Sequence, residues 1–271
     1  MVQEINSRTK YHQARWLIPY SGGFEAMSHP LSPTEIQFYH EHGYLLPKKK
    51  IFTPAMQAEL TGIFEELWEQ HGRKMNHEDD RPHLRDKRLF KFLLHDDVLD
   101  LVESIIGPNI GLWSSHFISK EPLVGRRTPW HEDSAYWKGR LSRYDKIVTI
   151  WLAIDRSNRE NGCMAVMPGT HTNGFSTYED VSEEENIFNS RIKDIDESKA
   201  VFFELEPGEY SLHDSRIIHG APPNKSPYRR CGYTMRYYST EALVIPENNQ
   251  DHKVWLARGI DVSGGTKFEN V

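Results

Sequence analysis

Ile147-Val148-Thr149-Ile150-Trp151-Leu152-Ala153-Ile154 is a run of β-branched, aromatic and aliphatic residues, and aspartate follows it directly. Such a run favours a buried β-strand. Four further segments share this character: residues 164–167, 200–205, 212–219 and 232–238. From about residue 110 to about residue 240 the sequence therefore predicts many short strands separated by turns.

The first third of the chain is predicted to be helical. Ser32-Pro33-Thr34-Glu35 is a capping box with proline at the first helical position, and Gly43 is a typical helix end. A second helix is expected from Thr53-Pro54 to Gly72, and a third from Asp97 to Ile106. Helices followed by strands indicate an α+β fold with a mainly β core, in which the helices pack outside a β sandwich or barrel.

Neither a repeat nor a linker divides the chain, so we expect a single domain over residues 1–271. Its helical N-terminal part should cover about residues 30–107, its barrel about residues 110–240, and a C-terminal extension residues 241–271. The charge-dense segment 75–88 and the acidic segment 175–198 are expected to be loops.

The composition limits the functions that the chain can have. Of 271 residues, 38% are hydrophobic and 27% are charged, which is ordinary for a globular protein. The formal net charge of -6 argues against nucleic acid and anionic membranes as partners. We recognise no signal peptide in residues 1–15 and no membrane span. Two cysteines, Cys163 and Cys231, make no disulfide framework, so we expect a cytoplasmic protein. The sequence does not indicate the oligomeric state.

Trp130-His131-Glu132-Asp133-Ser134-Ala135-Tyr136-Trp137 contains a candidate metal site. On an extended segment, His131 and Asp133 point to the same face and can donate adjacent ligands. His219, far along the chain at the end of a candidate strand, can supply a third ligand. Two histidines and one carboxylate form the facial triad of iron(II) oxygenases, which leaves positions open for a bidentate co-substrate and for dioxygen. Zinc accepts the same ligands, so the triad does not identify the metal.

Residues around His219 leave two alternatives open. His213 has the same strand parity as His219 and is a rival third ligand. Arg230 begins a predicted strand and could pair with a dicarboxylate co-substrate that is bound to the metal. Arg236 has the parity of Arg230 and competes for this role, whereas Arg229 should point away from it on a regular strand.

Four segments carry motifs that occur together in a known family. They are Trp130-His131-Glu132-Asp133 with Tyr136-Trp137, Asn161-Gly162-Cys163-Met164-Ala165-Val166-Met167-Pro168-Gly169-Thr170-His171, Pro207-Gly208-Glu209-Tyr210-Ser211-Leu212-His213, and His219-Gly220-Ala221-Pro222-Pro223-Asn224-Lys225-Ser226 followed by Arg229-Arg230. In this order they resemble the phytanoyl-CoA dioxygenase-like (PhyH) family of iron(II)/2-oxoglutarate oxygenases, over about residues 30–240.

The resemblance implies a double-stranded β-helix, a jelly-roll or cupin-like barrel, with N-terminal supporting helices. It also implies Fe(II) as the metal, with 2-oxoglutarate and dioxygen as co-substrates. The expected reaction is decarboxylation of 2-oxoglutarate to succinate and carbon dioxide, coupled to hydroxylation of a small molecule.

Carried over residue by residue, the resemblance also implies individual roles. The iron ligands match His131, Asp133 and His219. Arg230 matches the arginine that binds the distal carboxylate of 2-oxoglutarate, and Trp137 and Lys120 match residues of the same pocket. Asp133 favours hydroxylation, because relatives that halogenate have a small residue in place of this ligand. Ala221 stands where many members have a serine that hydrogen-bonds the co-substrate, so that contact should be absent.

The substrate is the least defined part of this interpretation. Candidate substrate contacts are Tyr136, Arg140, His116 and Arg236, together with the pair Arg126-Arg127. The arginines would suit an anionic group on the substrate. His116 and His171 are expected to be structural or to line the pocket rather than to bind the metal.

Two other functions are compatible with the same residues. One is a catalytically inactive jelly-roll binding protein. The other is a zinc hydrolase that uses the triad, with Glu132 as a general base and with no use for Arg230.

Overall fold

The computed structural model of the chain describes residues 31–70, 81–182, 184 and 186–271. The α-helices in these residues are α1 (Pro33–His42), α2 (Pro54–Gln70), α3 (Phe90–Leu93), α4 (Asp96–Ile106) and α5 (Asp133–Tyr136). The strands are β1 (Tyr44–Leu45), β2 (Ile110–Lys120), β3 (Thr128–His131), β4 (Ile147–Ala153), β5 (Ala165–Val166), β6 (Tyr178–Asp180), β7 (Ser190–Ile192), β8 (Val201–Phe202), β9 (Tyr210–Asp214), β10 (His219–Ala221), β11 (Arg230–Ser239) and β12 (Trp255–Arg258).

The helix ends follow the signals in the sequence. The Ser32 hydroxyl accepts a hydrogen bond from the Glu35 backbone N–H, and the Glu35 carboxylate accepts one from the Ser32 N–H, so the predicted capping box is formed. Gly43 ends α1 with φ 78°, a left-handed conformation that glycine adopts without strain. The predicted second and third helices are confirmed as α2 and α4.

Six strands form the larger sheet, in the order β1-β9-β4-β11-β2-β12, with antiparallel pairing throughout. The two faces of this sheet alternate along each strand. Val148, Ile150 and Leu152 of β4 belong to a buried cluster that includes residues of α2 and α4. Trp151 and Ala153 of the same strand face the other way and pack on the smaller sheet.

The smaller sheet has the order β3-β10-β5-β8 and is also antiparallel. Val166 of β5 and Phe203 and Ile217 beside this sheet share a buried cluster with Trp151 of the larger sheet. Two antiparallel sheets packed face to face, with helices outside the larger one, form a jelly roll. The predicted α+β fold with a mainly β core is therefore confirmed.

Residues 212–219 are not a single strand, and this prediction is wrong. β9 ends at Asp214 in the larger sheet, and β10 begins at His219 in the smaller one. Between them the Asp214 carboxylate accepts hydrogen bonds from the backbone N–H and the guanidinium of Arg216, and the Ile217 N–H donates to the Asp214 carbonyl. This turn carries the chain from one sheet to the other.

The loop predictions need two corrections. Residues 175–198 contain the hairpin of β6 and β7, in which Tyr178 pairs with Ile192. Part of the predicted loop 75–88, residues 75–80, lies outside the described residues, and two short 3-10 helices follow at Pro82–Leu84 and Lys87–Leu89. The predicted strand at 200–205 is shorter than expected, since only β8 forms there.

The C-terminal extension adds an edge strand to the barrel. β12 pairs with β2. The ring centroid of Trp255 lies 5.0 Å from that of His83 and 5.1 Å from that of Phe90. The single-domain organisation over residues 1–271 stays a prediction. In the described part of the chain, every helix is too short or too polar to cross a membrane.

Candidate metal centre

β3 and β10 bring two histidines face to face. His131 ends β3, His219 begins β10, and their Cα atoms are paired across the smaller sheet. The centroids of their rings are 4.1 Å apart. His131 Nδ1 lies 2.8 Å from the Pro129 carbonyl oxygen, and His219 Nδ1 lies 3.0 Å from that of Ile217. Because a carbonyl can only accept, each Nδ1 carries the proton and each Nε2 keeps a lone pair for a metal.

Asp133 completes the cluster from the start of α5. Glu132 before it is extended, with φ -117° and ψ 130°, which turns residues 131 and 133 to the same side. Asp133 Oδ1 lies 3.9 Å from Nε2 of His131 and 3.9 Å from Nε2 of His219. All three residues are buried, and one ligand atom from each lies within 4.8 Å of the other two. The structure thus brings the three predicted metal ligands together.

Burial sets the protonation of this cluster. Desolvation, followed by the charge of His219, lowers the pKa of His131 to about 3. Burial would raise the pKa of Asp133, but the Arg236 guanidinium and then the two histidines outweigh it and hold this pKa well below its usual range. At neutral pH His131 is therefore uncharged and Asp133 ionised, which are the forms that bind metal ions.

Arg236 contacts the metal-ligand cluster directly. Its Nε lies 3.2 Å from Asp133 Oδ2, and its Nη1 donates to the hydroxyl of Thr234 at 3.2 Å. The guanidinium carbon lies 5.7 Å from the centroid of the Trp137 ring. The sequence predicted Arg236 as a substrate contact or as a competitor for the co-substrate; this contact with Asp133 was not foreseen.

His213 lies beside the three ligands without joining them. Its ring centroid is 5.1 Å from that of His219, and its Cα pairs with Thr149 of β4. Burial lowers its pKa well below the usual value, so the ring is neutral. Among the described residues, the group that could hold a metal contains His219 and not His213.

Arg230 and Lys120 face each other across β11 and β2, and both are buried. Arg230 Nη2 donates to the Gly162 carbonyl at 2.8 Å, and its guanidinium carbon lies 5.6 Å from the Trp151 ring centroid. Lys120 Nζ donates to three backbone carbonyls, those of Arg126, Ala221 and Pro222. The role of Lys120 in co-substrate binding stays a prediction, and its ammonium is engaged by the protein backbone.

Arg229 points to the other face of β11, as the strand parity predicts. Its guanidinium forms ion pairs with Glu65 of α2 at 2.5 Å and with Asp155 at 2.8 Å. This arginine therefore joins the helical layer to the sheet and does not compete with Arg230.

Several polar side chains face the interior of the barrel. Thr149 pairs with both Arg236 and His213, and Ser211 pairs with Trp151, across neighbouring strands of the larger sheet. Within the described part of the chain, four of these buried polar atoms have no hydrogen-bond partner: Thr149 Oγ1, Ser211 Oγ, His213 Nδ1 and Arg230 Nε. Since buried polar groups are normally satisfied, these atoms fit a polar ligand such as a dicarboxylate.

Sequence reasoning missed Trp151 and Phe188. Trp151 shares the parity of Thr149 in the run that predicted β4, so its position could have been inferred. Phe188 lies in the connection between β6 and β7, and its ring centroid is 5.2 Å from that of His131. Tyr136, a predicted substrate contact, is 47% exposed and lies 5.8 Å from His131 and 5.5 Å from Phe188, measured between ring centroids. These rings form an aromatic wall beside the metal ligands.

Two further predicted substrate contacts have partners of their own. Arg140 Nε donates to Asn249 Oδ1 at 2.9 Å, and its guanidinium carbon lies 5.0 Å from the Trp113 ring centroid. The His116 carbonyl accepts a hydrogen bond from the hydroxyl of Thr234. For both residues, substrate binding stays a prediction.

Arg126 and Arg127 line a cleft of about 830 Å³, together with Arg159 and Lys225. Arg127 Nη1 lies 3.2 Å from Glu197 Oε1, at the protein surface. Binding of an anionic substrate group by Arg126 and Arg127 stays a prediction.

The side chains of Glu132 and His171 connect parts of the fold. The Glu132 carboxylate accepts hydrogen bonds from the hydroxyl (2.5 Å) and the backbone N–H (3.2 Å) of Ser176, and so fastens the start of the β6–β7 segment. His171 Nε2 lies 3.1 Å from the His40 carbonyl and joins the barrel to α1, as expected for a structural histidine.

Comparison with known proteins identifies the family. The family model described as Phytanoyl-CoA dioxygenase (PhyH) matches residues 39–232, so the chain belongs to the phytanoyl-CoA dioxygenase family. The peroxisomal phytanoyl-CoA dioxygenase of Homo sapiens is 33% identical over 167 residues, which cover 59% of this chain and 48% of that protein. The chain thus matches about half the length of the curated relatives.

Two solved structures show the same fold. An apo form of the non-heme monooxygenase ThoJ superimposes with a TM-score of 0.71 at 22% identity, over 87% of each chain. CytC3 with Fe(II) and alpha-ketoglutarate superimposes with a TM-score of 0.66 at 25% identity, over 89% of this chain and 94% of that one. Both likenesses agree with the jelly roll described above.

Proposed function

We propose that the protein is an iron(II)- and 2-oxoglutarate-dependent dioxygenase that hydroxylates a small molecule. The observation that carries this proposal is the convergence of His131, Asp133 and His219 within 4.8 Å inside the barrel. Membership of the phytanoyl-CoA dioxygenase family and the likeness to CytC3, whose structure contains Fe(II) and alpha-ketoglutarate, support the identity of the metal and of the co-substrate.

The three ligands would hold the metal through His131 Nε2, His219 Nε2 and Asp133 Oδ1. The carbonyls of Pro129 and Ile217 orient the two rings by accepting from Nδ1, so the ligand nitrogens need no rearrangement. When bound, iron(II) would supply the site at which dioxygen is reduced: one of its oxygen atoms enters succinate as 2-oxoglutarate loses carbon dioxide, and the other enters the substrate as a hydroxyl group.

Arg230 is proposed to bind the distal carboxylate of 2-oxoglutarate. It is buried, its Nε is unsatisfied among the described residues, and its guanidinium lies against Trp151. A guanidinium in such a place can donate to both oxygens of a carboxylate. Trp137 and Trp151 would exclude water from the same interior, since both are buried.

The substrate is proposed to be a small molecule that enters beside Tyr136 and Phe188. Their aromatic rings lie against His131, where a substrate carbon has to come close to the metal. An anionic group on the substrate stays a prediction, as does the cytoplasmic location. Both cysteines are buried and unpaired, which agrees with a reducing compartment.

The alternative of a zinc hydrolase has less support. Glu132 would be its general base, but this carboxylate is engaged by Ser176, and the buried Arg230 would have no function. A catalytically inactive binding protein is disfavoured because all three ligands are present.

Turnover of 2-oxoglutarate tests the proposal. The protein, loaded anaerobically with Fe(II) and then supplied with 2-oxoglutarate and air, should form succinate slowly, and a metabolite panel should contain a compound that accelerates it. Asp133→Ala should abolish succinate formation, because the metal loses its only anionic protein ligand. Wild-type protein that binds Fe(II) but forms no succinate under any of these conditions would refute the proposed activity.

A further inference from the structure

The two carboxylate oxygens of Asp133 have different partners. Oδ1 lies 3.9 Å from Nε2 of His131 and 3.9 Å from Nε2 of His219. Oδ2 lies 3.2 Å from Nε of Arg236 and accepts its hydrogen bond. One oxygen therefore faces the other metal ligands, and the other is held by the protein.

Arg236 is itself held in place from several sides. Its Nη1 donates to Thr234 Oγ1 at 3.2 Å, and that hydroxyl donates in turn to the His116 carbonyl on β2 at 3.0 Å. Its guanidinium lies over the ring of Trp137, which follows Asp133 by four residues. Only 11% of the Arg236 side chain is exposed. The donor to Oδ2 thus has a fixed position relative to both the sheet and α5.

The way in which Asp133 binds a metal decides how many positions stay open. A carboxylate can coordinate through one oxygen or through both. Binding through both oxygens would take up one of the positions that the facial triad leaves for its co-substrates. A charge-assisted hydrogen bond to the second oxygen competes with that mode, because Oδ2 cannot turn to the metal without leaving Arg236.

We propose that Arg236 is a positioning residue that keeps Asp133 a one-oxygen ligand, and that it thereby preserves the open coordination positions of the metal. This inference rests on the proposed function of the site. It assigns to Arg236 a role different from the substrate contact that the sequence predicted, and different from direct binding of 2-oxoglutarate.

Water bound to Mn(II) provides the test. Mn(II) is an oxygen- and nitrogen-binding ion of suitable geometry, and the relaxation of water protons depends on how many exchanging waters it carries. The protein is saturated with Mn(II) without 2-oxoglutarate, so differences in metal affinity between variants do not affect the comparison. Arg236→Leu should lower the relaxation enhancement by about one third, since about one of three water positions is lost to Asp133 Oδ2.

Matched variants separate positioning from other effects. Arg236→Lys should retain most of the enhancement, because an ammonium can also donate to Oδ2. Arg229→Gln, which removes the arginine directly before β11 that points to the opposite face of the sheet, should match the wild type. If Arg236→Leu cannot be purified, Thr234→Val removes the acceptor that fixes Arg236 and should give a smaller loss in the same direction.

Two results would overturn the proposal for Arg236. One is an unchanged enhancement in Arg236→Leu or, where that variant cannot be obtained, in Thr234→Val. The other is a loss in Arg236→Leu that Arg229→Gln shows equally. A wild-type protein that binds neither Mn(II) nor Fe(II) would instead refute the proposed function, so the two failures are distinguishable.

Discussion

At the scale of single residues, Arg230 is the side chain proposed to bind 2-oxoglutarate. It lies on the inner face of β11, is nearly inaccessible, and has an unsatisfied Nε among the described residues. A planar guanidinium matches a carboxylate with two parallel hydrogen bonds, which an ammonium cannot reproduce. The affinity of this site for a carboxylate is therefore expected to fall even when arginine is replaced by lysine, which preserves the charge.

Arg230→Lys should raise the 2-oxoglutarate concentration needed for half-maximal succinate formation by at least about 10-fold. Hydrogen bonds to charged groups contribute about 1.5–3 kcal/mol each, and one lost bond suffices for this effect. Arg229→Lys, directly before the same strand but paired with Glu65 and Asp155, is the control and should leave the requirement unchanged. An unchanged 2-oxoglutarate requirement in Arg230→Lys would mean that another residue binds the distal carboxylate.

The candidate metal ligands His131 and Asp133 could be predicted from the sequence pattern, His219 only as a rival of His213, and the contact of Asp133 with Arg236 not at all. His131 and Asp133 are close in the chain, so strand parity alone places their side chains on one side. Arg236 reaches Asp133 only because β11 lies beside β2 and β4 in one register, with an irregularity after Arg236. Pairing registers between distant strands depend on the packing of the whole sheet, and no local pattern encodes them.

At the scale of elements, the β6–β7 segment covers one side of the metal ligands. It is attached through the buried carboxylate of Glu132, which accepts two hydrogen bonds from Ser176, and through the Tyr178 hydroxyl, which accepts one from the Glu132 N–H. Phe188 in the same segment packs against His131. The start of this segment is therefore attached through Glu132, whereas Ile192 of β7 packs with Trp130 of β3 and Ala165 of β5 in the barrel.

Glu132→Ala should accelerate amide hydrogen exchange in residues 174–180, because the Ser176 groups lose their acceptor. Exchange in β2, β4 and β11 should stay at the wild-type rate. Glu132→Gln, which keeps an acceptor oxygen, is expected to show a smaller change. Uniform acceleration over the barrel strands in Glu132→Ala would mean that this residue supports the global fold instead.

Gly232 determines how Trp151 sits in the barrel interior. A Cβ added at Gly232 would lie 2.1 Å from Cζ2 of Trp151, so the indole lies directly over the backbone of β11. Gly232→Ala should lower the free energy of unfolding by about 1–3 kcal/mol, the usual effect of overpacking a rigid core. Urea denaturation measures this effect.

Gly62 offers a matched control for that substitution. It lies inside α2 and an added Cβ would meet nothing within 4 Å. Gly62→Ala should therefore raise the free energy of unfolding by about 0.5–1 kcal/mol, because alanine is the better helix former. Equal effects of the two substitutions would contradict the packing of Trp151 on Gly232.

Elements were predictable where local signals are strong. Capping residues and an apolar stripe fix α1 and α2, and a run of β-branched residues fixes β4. The division of residues 212–219 between two sheets escaped prediction, because the buried apolar residues Leu212, Ile217 and Ile218 on both sides of the polar Asp214-Ser215-Arg216 resemble a single strand. There the turn depends on the contacts of Asp214 with Arg216, which a hydrophobic pattern does not reveal.

At the scale of the whole molecule, buried neutral histidines connect stability to pH. Burial, followed by the charge of His219, lowers the pKa of His131 to about 3, and burial followed by Arg140 and Arg81 lowers that of His252 to about 3. In the unfolded chain a histidine titrates near about 6.5. Between these two pH values the unfolded chain binds protons that the folded protein does not, so acidification favours unfolding.

The metal-free protein should therefore lose stability steadily as the pH falls from about 6.5 towards about 3, by up to about 1.4 kcal/mol per pH unit for each such histidine. His252 separates this effect from the metal ligands, since it packs on Trp113 with ring centroids 4.0 Å apart and its Nε2 lies 3.0 Å from the Trp113 carbonyl. Urea titrations between pH 4.5 and 6 give the free energy of unfolding at each pH. For His252→Gln this free energy should fall less steeply with decreasing pH than for the wild type, by a slope that corresponds to about one proton. Parallel curves for the two proteins would show that His252 takes up its proton in the folded state, and the pKa shift attributed to its burial would then be absent.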